Sequence, residues 1–356
     1  MFELIIGTNR YSSQEDFIHT PSGLPDFAIP AFIFCKAWLA GQESFELQTS
    51  GSTGTPKPIQ VLRSQMTASA LATQSFFGIT AGSEMLCCMN TQYIAGKMML
   101  VRAMVWNCPI LVIEPSSRPL SDLPTHFSPK FVAMVPLQVE ESLSTNLEEL
   151  KSLEYLIIGG APVSKKLKSS ILKEGLNAYQ TYGMTETVSH IAIAAFEEGE
   201  LMYKPLPEVE LGQDSRGALW IKSAMSNYQT IQTNDLVEFH EGKRFSWLGR
   251  ADFVINTGGI KLHPEILESK IESSIQPFFP NHSYFFYGVP DEKLGQKLIL
   301  AIESLEPETE KAESLRGVLK EILHKYEIPK EIQLIPEFKR TRTGKINRLK
   351  TIQTIT

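Results

Sequence analysis

From about Met85 to Tyr182, short apolar runs alternate with amphipathic segments. The runs Met85–Met89, Ile110–Ile113, Phe131–Val135 and Glu154–Ile158 have the pattern of strands buried on both faces. Between them, Ile94–Trp106 and Ser164–Glu174 carry apolar residues at helical spacing. Ser164 and Gly175 stand where an N-cap and a left-handed residue closing the helix belong. Strand–helix alternation of this kind predicts a parallel α/β sheet, whose ligands bind beyond the carboxyl ends of the strands. Chemistry is therefore expected in the loops that follow those strands.

From about Glu208 to Gly249 the pattern changes to short β runs separated by turn residues, with a hairpin predicted over Val237–Trp247 around Glu241-Gly242. Past Gly249-Arg250-Ala251-Asp252 it changes again. Pro264–Ser274 reads as a helix, Ser283–Val289 and Lys297–Glu303 as strands, and Pro307–His324 as a charged amphipathic helix. The expected fold class is α/β. A large N-terminal domain, residues 1–250, holds a mostly parallel sheet and a β-rich subdomain; a small mobile α+β domain, residues 251–356, follows.

Composition narrows this without redirecting it. Hydrophobic residues make up 42% and charged residues 21% of 356, ordinary for a globular protein with a sizeable core. A net charge of −6 leaves no footprint for nucleic acid. The four cysteines, Cys35, Cys87, Cys88 and Cys108, lack the spacing of a zinc site and read as buried thiols of a reducing compartment. The opening residues carry no basic stretch followed by an apolar one, and no apolar run is long enough to span a bilayer, so a cytoplasmic location is expected.

Thr49-Ser50-Gly51-Ser52-Thr53-Gly54-Thr55-Pro56-Lys57 packs hydroxyls, glycines and a lysine into nine positions. Glycines let backbone N–H groups converge on an anion, hydroxyls donate further bonds, and lysine supplies charge. The P-loop of nucleotide triphosphatases is excluded. Pro56 stands where its last glycine should be, and Pro58 where Ser or Thr must hold magnesium. The segment instead resembles the signature loop T-S-G-[ST]-T-G-x-P-K of the adenylate-forming superfamily, in its acyl-CoA synthetase branch.

Further segments resemble that superfamily's motifs in the same order, over most of the chain. Gly159-Gly160-Ala161 after a predicted strand is similar to the adenine-side loop, and Tyr182-Gly183-Met184-Thr185-Glu186 to Y-G-x-T-E. The likeness implies that Thr185 bonds the α-phosphate and Glu186 ligates magnesium, roles that suit a small hydroxyl donor and a hard oxygen ligand. Thr233-Asn234-Asp235 resembles T-G-D, whose aspartate accepts the ribose hydroxyls; Asn234 replaces the glycine and tolerates the same turn. Gly249–Leu262 resembles the hinge motif, which implies that Arg250 bonds the ribose, Asp252 is the pivot, and Gly258-Gly259 approaches the tunnel for CoA. Thr341-Arg342-Thr343-Gly344-Lys345-Ile346-Asn347-Arg348 resembles T-x-[ST]-G-K-I-x-R, making Lys345 the adenylation lysine.

The resemblance implies a two-step ligase using ATP, Mg2+ and CoA: a carboxylate attacks the α-phosphorus, then a thiol takes the acyl group from the adenylate. The motif order begins at Thr49, as in compact bacterial o-succinylbenzoate–CoA ligases of menaquinone synthesis, and Met89–Met99 also resembles theirs. A second carboxylate on the acid needs cationic or donor groups, for which Lys97, Arg102, Ser189 and His190 are the candidates. Another aromatic or aliphatic acid, a carrier-protein thiol as acceptor, and a homo-oligomeric state stay open at this level.

Overall fold

The computed structural model describes residues 1–48, 58–121, 123–124, 126–341 and 346–353. Its largest sheet has nine strands, in the order Lys204–Pro205, His190–Ala195, Ala178–Gly183, Tyr155–Ile158, Phe131–Met134, Met85–Cys87, Pro109–Val112, Glu3–Ile6, Asn9–Tyr11. From Ala178–Gly183 through Glu3–Ile6 every neighbouring pair is parallel, and the outer pairs are antiparallel. The apolar runs are buried because helices cover both faces. Met85–Cys87 is buried throughout, and Ile5, Leu86, Leu111, Val132 and Leu156 form one core cluster while Leu4, Met85, Ile110 and Phe131 belong to another.

The helices that position the site follow from local chemistry. Ile94–Trp106 closes on Asn107 in the left-handed region, and Gly96 at its start lets the preceding loop pack close, since a Cβ there would lie 2.6 Å from the Asn90 carbonyl oxygen. Lys165–Glu174 is opened by the Ser164 hydroxyl accepting from Leu167 N–H at 3.0 Å and ended by Gly175 at φ 67°. The four cysteines are free and buried, with the thiols of Cys35, Cys87 and Cys88 pushed up by burial.

A four-stranded antiparallel sheet, Glu210–Gln213, Ala218–Lys222, Ile231–Phe239 and Phe245–Arg250, follows. A last sheet is built from Ile260–Leu262, Ile255–Thr257, Gly295–Glu303 and Tyr284–Asp291, with Glu331–Ile335 parallel to Gly295–Glu303. Pro264–Ile275 and Thr309–Ile322 bury Leu267, Ile271, Leu315 and Leu319 against it. The buried residues of the first two clusters end at Phe245 and those of the other two begin at Ile255. Among the described residues no helix is long and apolar enough to cross a membrane.

Within the last unit, Glu268 accepts from Phe286 N–H at 2.9 Å and from Arg348 at 2.7 Å. Burial still outweighs these bonds and raises its carboxyl from 4.5 to about 7. Between those values the folded protein holds a proton the unfolded chain has released, so this group's contribution to stability declines as pH rises from 4.5 to 7 and is constant above. Glu268→Gln is expected to remove that slope, about 3 kcal/mol in size. Urea midpoints of both proteins at pH 5 and pH 8 check it; parallel pH dependence would exclude Glu268 as its source.

Candidate active site

Loops converge at the carboxyl ends of Tyr155–Ile158 and Ala178–Gly183. The Gly159-Gly160-Ala161 loop leaves the first of these strands and is pinned to the second. Thr181 Oγ1 donates to the Ile158 carbonyl at 3.1 Å, and Gln180 Nε2 to that of Ala161 at 3.3 Å. A Cβ at residue 159 would lie 2.5 Å from Thr181 Oγ1, and Gly160 sits at φ 83°, so both glycines are demanded by geometry. Gly160 and Ala161 are exposed, leaving a face onto which a flat base can lie.

The second strand ends in Tyr182-Gly183, and a single 3-10 turn, Thr185–Thr187, follows. Residue 183 admits no side chain, since its Cβ would meet the His190 backbone at 2.4 Å. Val188 then takes φ 65° and ψ −50°, and Ser189 N–H reaches back to the Thr187 carbonyl at 2.6 Å, closing a γ-turn. A buried β-branched residue there stores about 1–3 kcal/mol of strain. The turn exposes the Glu186 carboxylate while folding Ser189 inward. An exposed carboxylate with no cation against it among the described residues is a fit donor for a hard divalent ion.

Tyr182 also reaches the four-stranded sheet, its hydroxyl donating to Asp235 Oδ2 at 2.7 Å. Burial, with the Asp235 charge beside it, pushes the phenol far above its ordinary value, so it stays a donor. Asp235 and Arg250 face each other across antiparallel strands, with Arg250 Nη1 3.7 Å from Asp235 Oδ1. Arg250 Nη2 bonds Asp252 at 2.7 Å, and Asn234 Nδ2 donates to the same carboxylate at 3.0 Å. Tyr182, Asp235, Arg250 and Asp252 are thus one polar chain running from the parallel sheet to the predicted pivot.

Arg102, Ser189 and His190 form a second cluster. Arg102 is 2% exposed; its Nη2 donates to Ser189 Oγ at 3.0 Å and approaches His190 Nδ1 at 3.4 Å. Burial, and then the Arg102 charge, hold the imidazole well below its usual value, so His190 is neutral. With Nδ1 accepting, Nε2 carries the proton and donates to Thr73 Oγ1 at 3.0 Å, and Thr73 donates to the Ser69 carbonyl at 2.9 Å. Arg102, lowered by burial to about 10, remains charged at neutral pH. No carboxylate of the described residues pairs with it, and its Nε is buried without a partner. Lys97 is not part of this cluster: its Nζ donates to the Gln92 carbonyl at 2.8 Å.

Gly258-Gly259, at φ 57° and 81°, are the central pair of a two-residue hairpin between Thr257 and Ile260, where both positions need positive φ. Thr49, Ser50, Gly51, Ser52, Thr53, Gly54 and Lys57 lie outside the described residues, as does Lys345. The strands Ser44–Gln48 and Pro58–Leu62 pair antiparallel on either side of the first segment, with Gln48 opposite Pro58. Thr73 was missed in the sequence. Its signal was a hydroxyl in the buried stripe Met66, Ser69, Ala70, Thr73, Phe77 of the helix Arg63–Phe77.

Models of two domains match the chain: AMP-binding enzyme over residues 47–212, and the AMP-binding enzyme C-terminal domain over residues 282–345. The chain belongs to the AMP-binding enzymes, the adenylate-forming superfamily. A crystallised acyl-CoA synthetase (AMP-forming)/AMP-acid ligase II-like protein from Dyadobacter fermentans is 40% identical, with 97% of this chain and 99% of that one covered and a TM-score of 0.65. The 2-succinylbenzoate–CoA ligase of Staphylococcus aureus strain MSSA476 is 26% identical over 330 residues, 85% of this chain and 65% of that protein. The chain thus spans somewhat less than two thirds of the length of that curated relative. The o-succinylbenzoate coenzyme A synthetase of Bacillus subtilis, solved with ATP and magnesium, shares the fold at 21% identity and a TM-score of 0.72, over 86% of this chain and 69% of that one.

Proposed function

We propose that this protein is an AMP-forming carboxylate–CoA ligase acting on a dicarboxylic acid, with o-succinylbenzoate the best candidate. Residues 1–250 bind ATP and the acid, and residues 251–356 act as a lid turning about Asp252. Residues 49–57 wrap the outer phosphates, and Gly159, Gly160 and Ala161 take the adenine. Asp235, oriented by Tyr182, takes the ribose together with Arg250. Thr185 meets the α-phosphate, and Lys345 meets the carboxylate and α-phosphate as negative charge builds between them. Glu186 would hold Mg2+, which when bound neutralises phosphate charge. Gly258-Gly259 then borders the path of the CoA thiol. The mixed anhydride is water-sensitive, which favours a closing lid over an open cleft.

The observation that carries the choice of acid is Arg102. A buried guanidinium met, among the described residues, by a thioether, a hydroxyl and a neutral imidazole is an expensive arrangement unless an anion completes it. Ser189, accepting from Arg102, keeps its own proton free to donate toward such an anion. A monocarboxylate would spend its one charge at the reacting end. A pyrophosphate-release screen across mono- and dicarboxylic acids, with and without CoA, tests this reading. Arg102→Met is expected to raise KM for the preferred dicarboxylate roughly 100-fold while leaving monocarboxylates within a few-fold. Preference for a monocarboxylate, or equal losses for both classes, would refute the dicarboxylate assignment. Pyrophosphate release with acyl transfer only to a protein-bound pantetheine would instead favour a carrier-loading module.

A further inference from the structure

Arg348 has no role in the chemistry above, yet its guanidinium is largely withdrawn from solvent within the C-terminal unit. Its Nη2 bonds Glu268 Oε2 at 2.7 Å, while its Nη1, 4.0 Å from Glu265 Oε1, is buried without a hydrogen-bond partner among the described residues. The guanidinium lies over two rings, 4.9 Å from the centre of Phe253 and 5.6 Å from that of Phe285. Phe253 is the residue after the proposed pivot Asp252, Glu265 and Glu268 are on the helix Pro264–Ile275, and Phe285 is on the strand Tyr284–Asp291.

Arg348 opens the helix Arg348–Ile352, capped by Asn347, whose side chain accepts from Lys350 N–H at 3.1 Å. Immediately before that helix the chain is folded back on itself. Asn347 N–H donates to the Lys339 carbonyl at 2.7 Å, and Ile346 pairs antiparallel with Arg340. Arg340 is tied in turn to Glu303 at 2.5 Å and to Ser283 at 3.0 Å. Both sides of this narrow base are therefore anchored by arginines, and Lys345 directly precedes it in the chain. Of the two anchors Arg348 is the less exposed, its side chain 16% exposed against 40% for Arg340.

We propose that Arg348 is a positioning residue for adenylation: bonded to Glu268 and laid over Phe253 and Phe285, it fixes the segment that follows Lys345 against the residue after the pivot. This rests on the reading of Lys345 as the adenylation lysine. Lysine at this position would keep the charge but lose the planar fork and the ring contact, so it substitutes only in part.

The test uses the full chain with Arg348→Gln and Arg348→Lys, each alone and combined with Lys345→Ala. Adenylation is followed by acid-dependent ATP–pyrophosphate exchange, and thioester formation from preformed acyl-adenylate. Arg348→Gln is expected to lower kcat of adenylation at least about 30-fold, with KM for ATP and thioester formation within about threefold, and Arg348→Lys to recover part of the loss. On the Lys345→Ala background the further loss should vanish, because the two residues act as one unit. Equal loss in both half-reactions, or a full additive loss in the double variant, overturns the proposal. A Lys345→Ala protein that adenylates normally overturns the underlying reading instead, so the two failures are distinguishable. Should Arg348→Gln not fold, Phe253→Leu loosens the guanidinium without stranding a buried charge. Its selective loss of adenylation supports the proposal, and equal or absent loss overturns it.

Discussion

Replacing Lys345 with alanine is expected to slow adenylation by roughly 10³-fold and to leave acyl transfer from preformed acyl-adenylate to CoA within a few-fold. In the first half-reaction a carboxylate oxygen approaches a phosphorus already surrounded by anionic oxygens. A compact ammonium between them lowers the repulsion and grows in value as charge moves onto the bridging oxygen. In the second half-reaction the acyl–oxygen bond breaks at carbon and its electron pair leaves with AMP, but on the proposed cycle the lid that carries Lys345 has turned about Asp252 by then, so the same ammonium contributes less. The residues next to Lys345 have an order that suits such a task, since Ile346 and Asn347 are held against Arg340 and Lys339. Separate assays of pyrophosphate exchange and of thioester formation check the split. Equal loss in both would remove Lys345 from its proposed role.

Glu186→Gln is expected to slow adenylation about 100-fold or more and to raise the magnesium concentration needed for half-maximal rate. The substitution keeps shape and one oxygen but removes the charge that a hard divalent ion demands. Its setting argues that the carboxylate is held for a purpose. It stands in a one-turn 3-10 segment followed by the strained γ-turn at Val188, and the nearby hydroxyl of Thr187 is bonded within the turn to the Met184 and Ser189 carbonyls. A magnesium titration of initial adenylation rate in both proteins is the check. An unchanged magnesium requirement would place the metal elsewhere.

Much of the architecture was legible along the chain because its signals are local. The helix Ile94–Trp106 has the predicted bounds, and the cap residues Ser164 and Gly175 do what their side chains and backbone freedom suggest. The buried strands differ from expectation by a residue or two, as at Met85–Cys87 and Pro109–Val112, where ladder pairing ends before the apolar run does. Apart from the motif Thr49–Lys57, residues before Met85 gave little to read. The helix Ile29–Leu39 is apolar nearly all round, and the pair Ser44–Gln48 and Pro58–Leu62 is separated by more residues than a tight hairpin turn takes.

The sequence by itself determined which chemistry the chain carries. The glycine- and hydroxyl-rich loop, Tyr182–Glu186, Thr233–Asp235, Gly249–Asp252 and the segment ending at Arg348 are contiguous motifs, and contiguity survives without coordinates. Only the tertiary structure decided which distant side chains share an environment. Arg102 meets Ser189 and His190 across 87 and 88 residues, and Tyr182 meets Asp235 across 53. It also separated Lys97 from Arg102, although both were equal candidates on one helix. The physical reason is that an ion's cost and worth depend on what excludes water from it. Exclusion of water is a property of packed neighbours from elsewhere in the chain, and no periodicity or spacing records it.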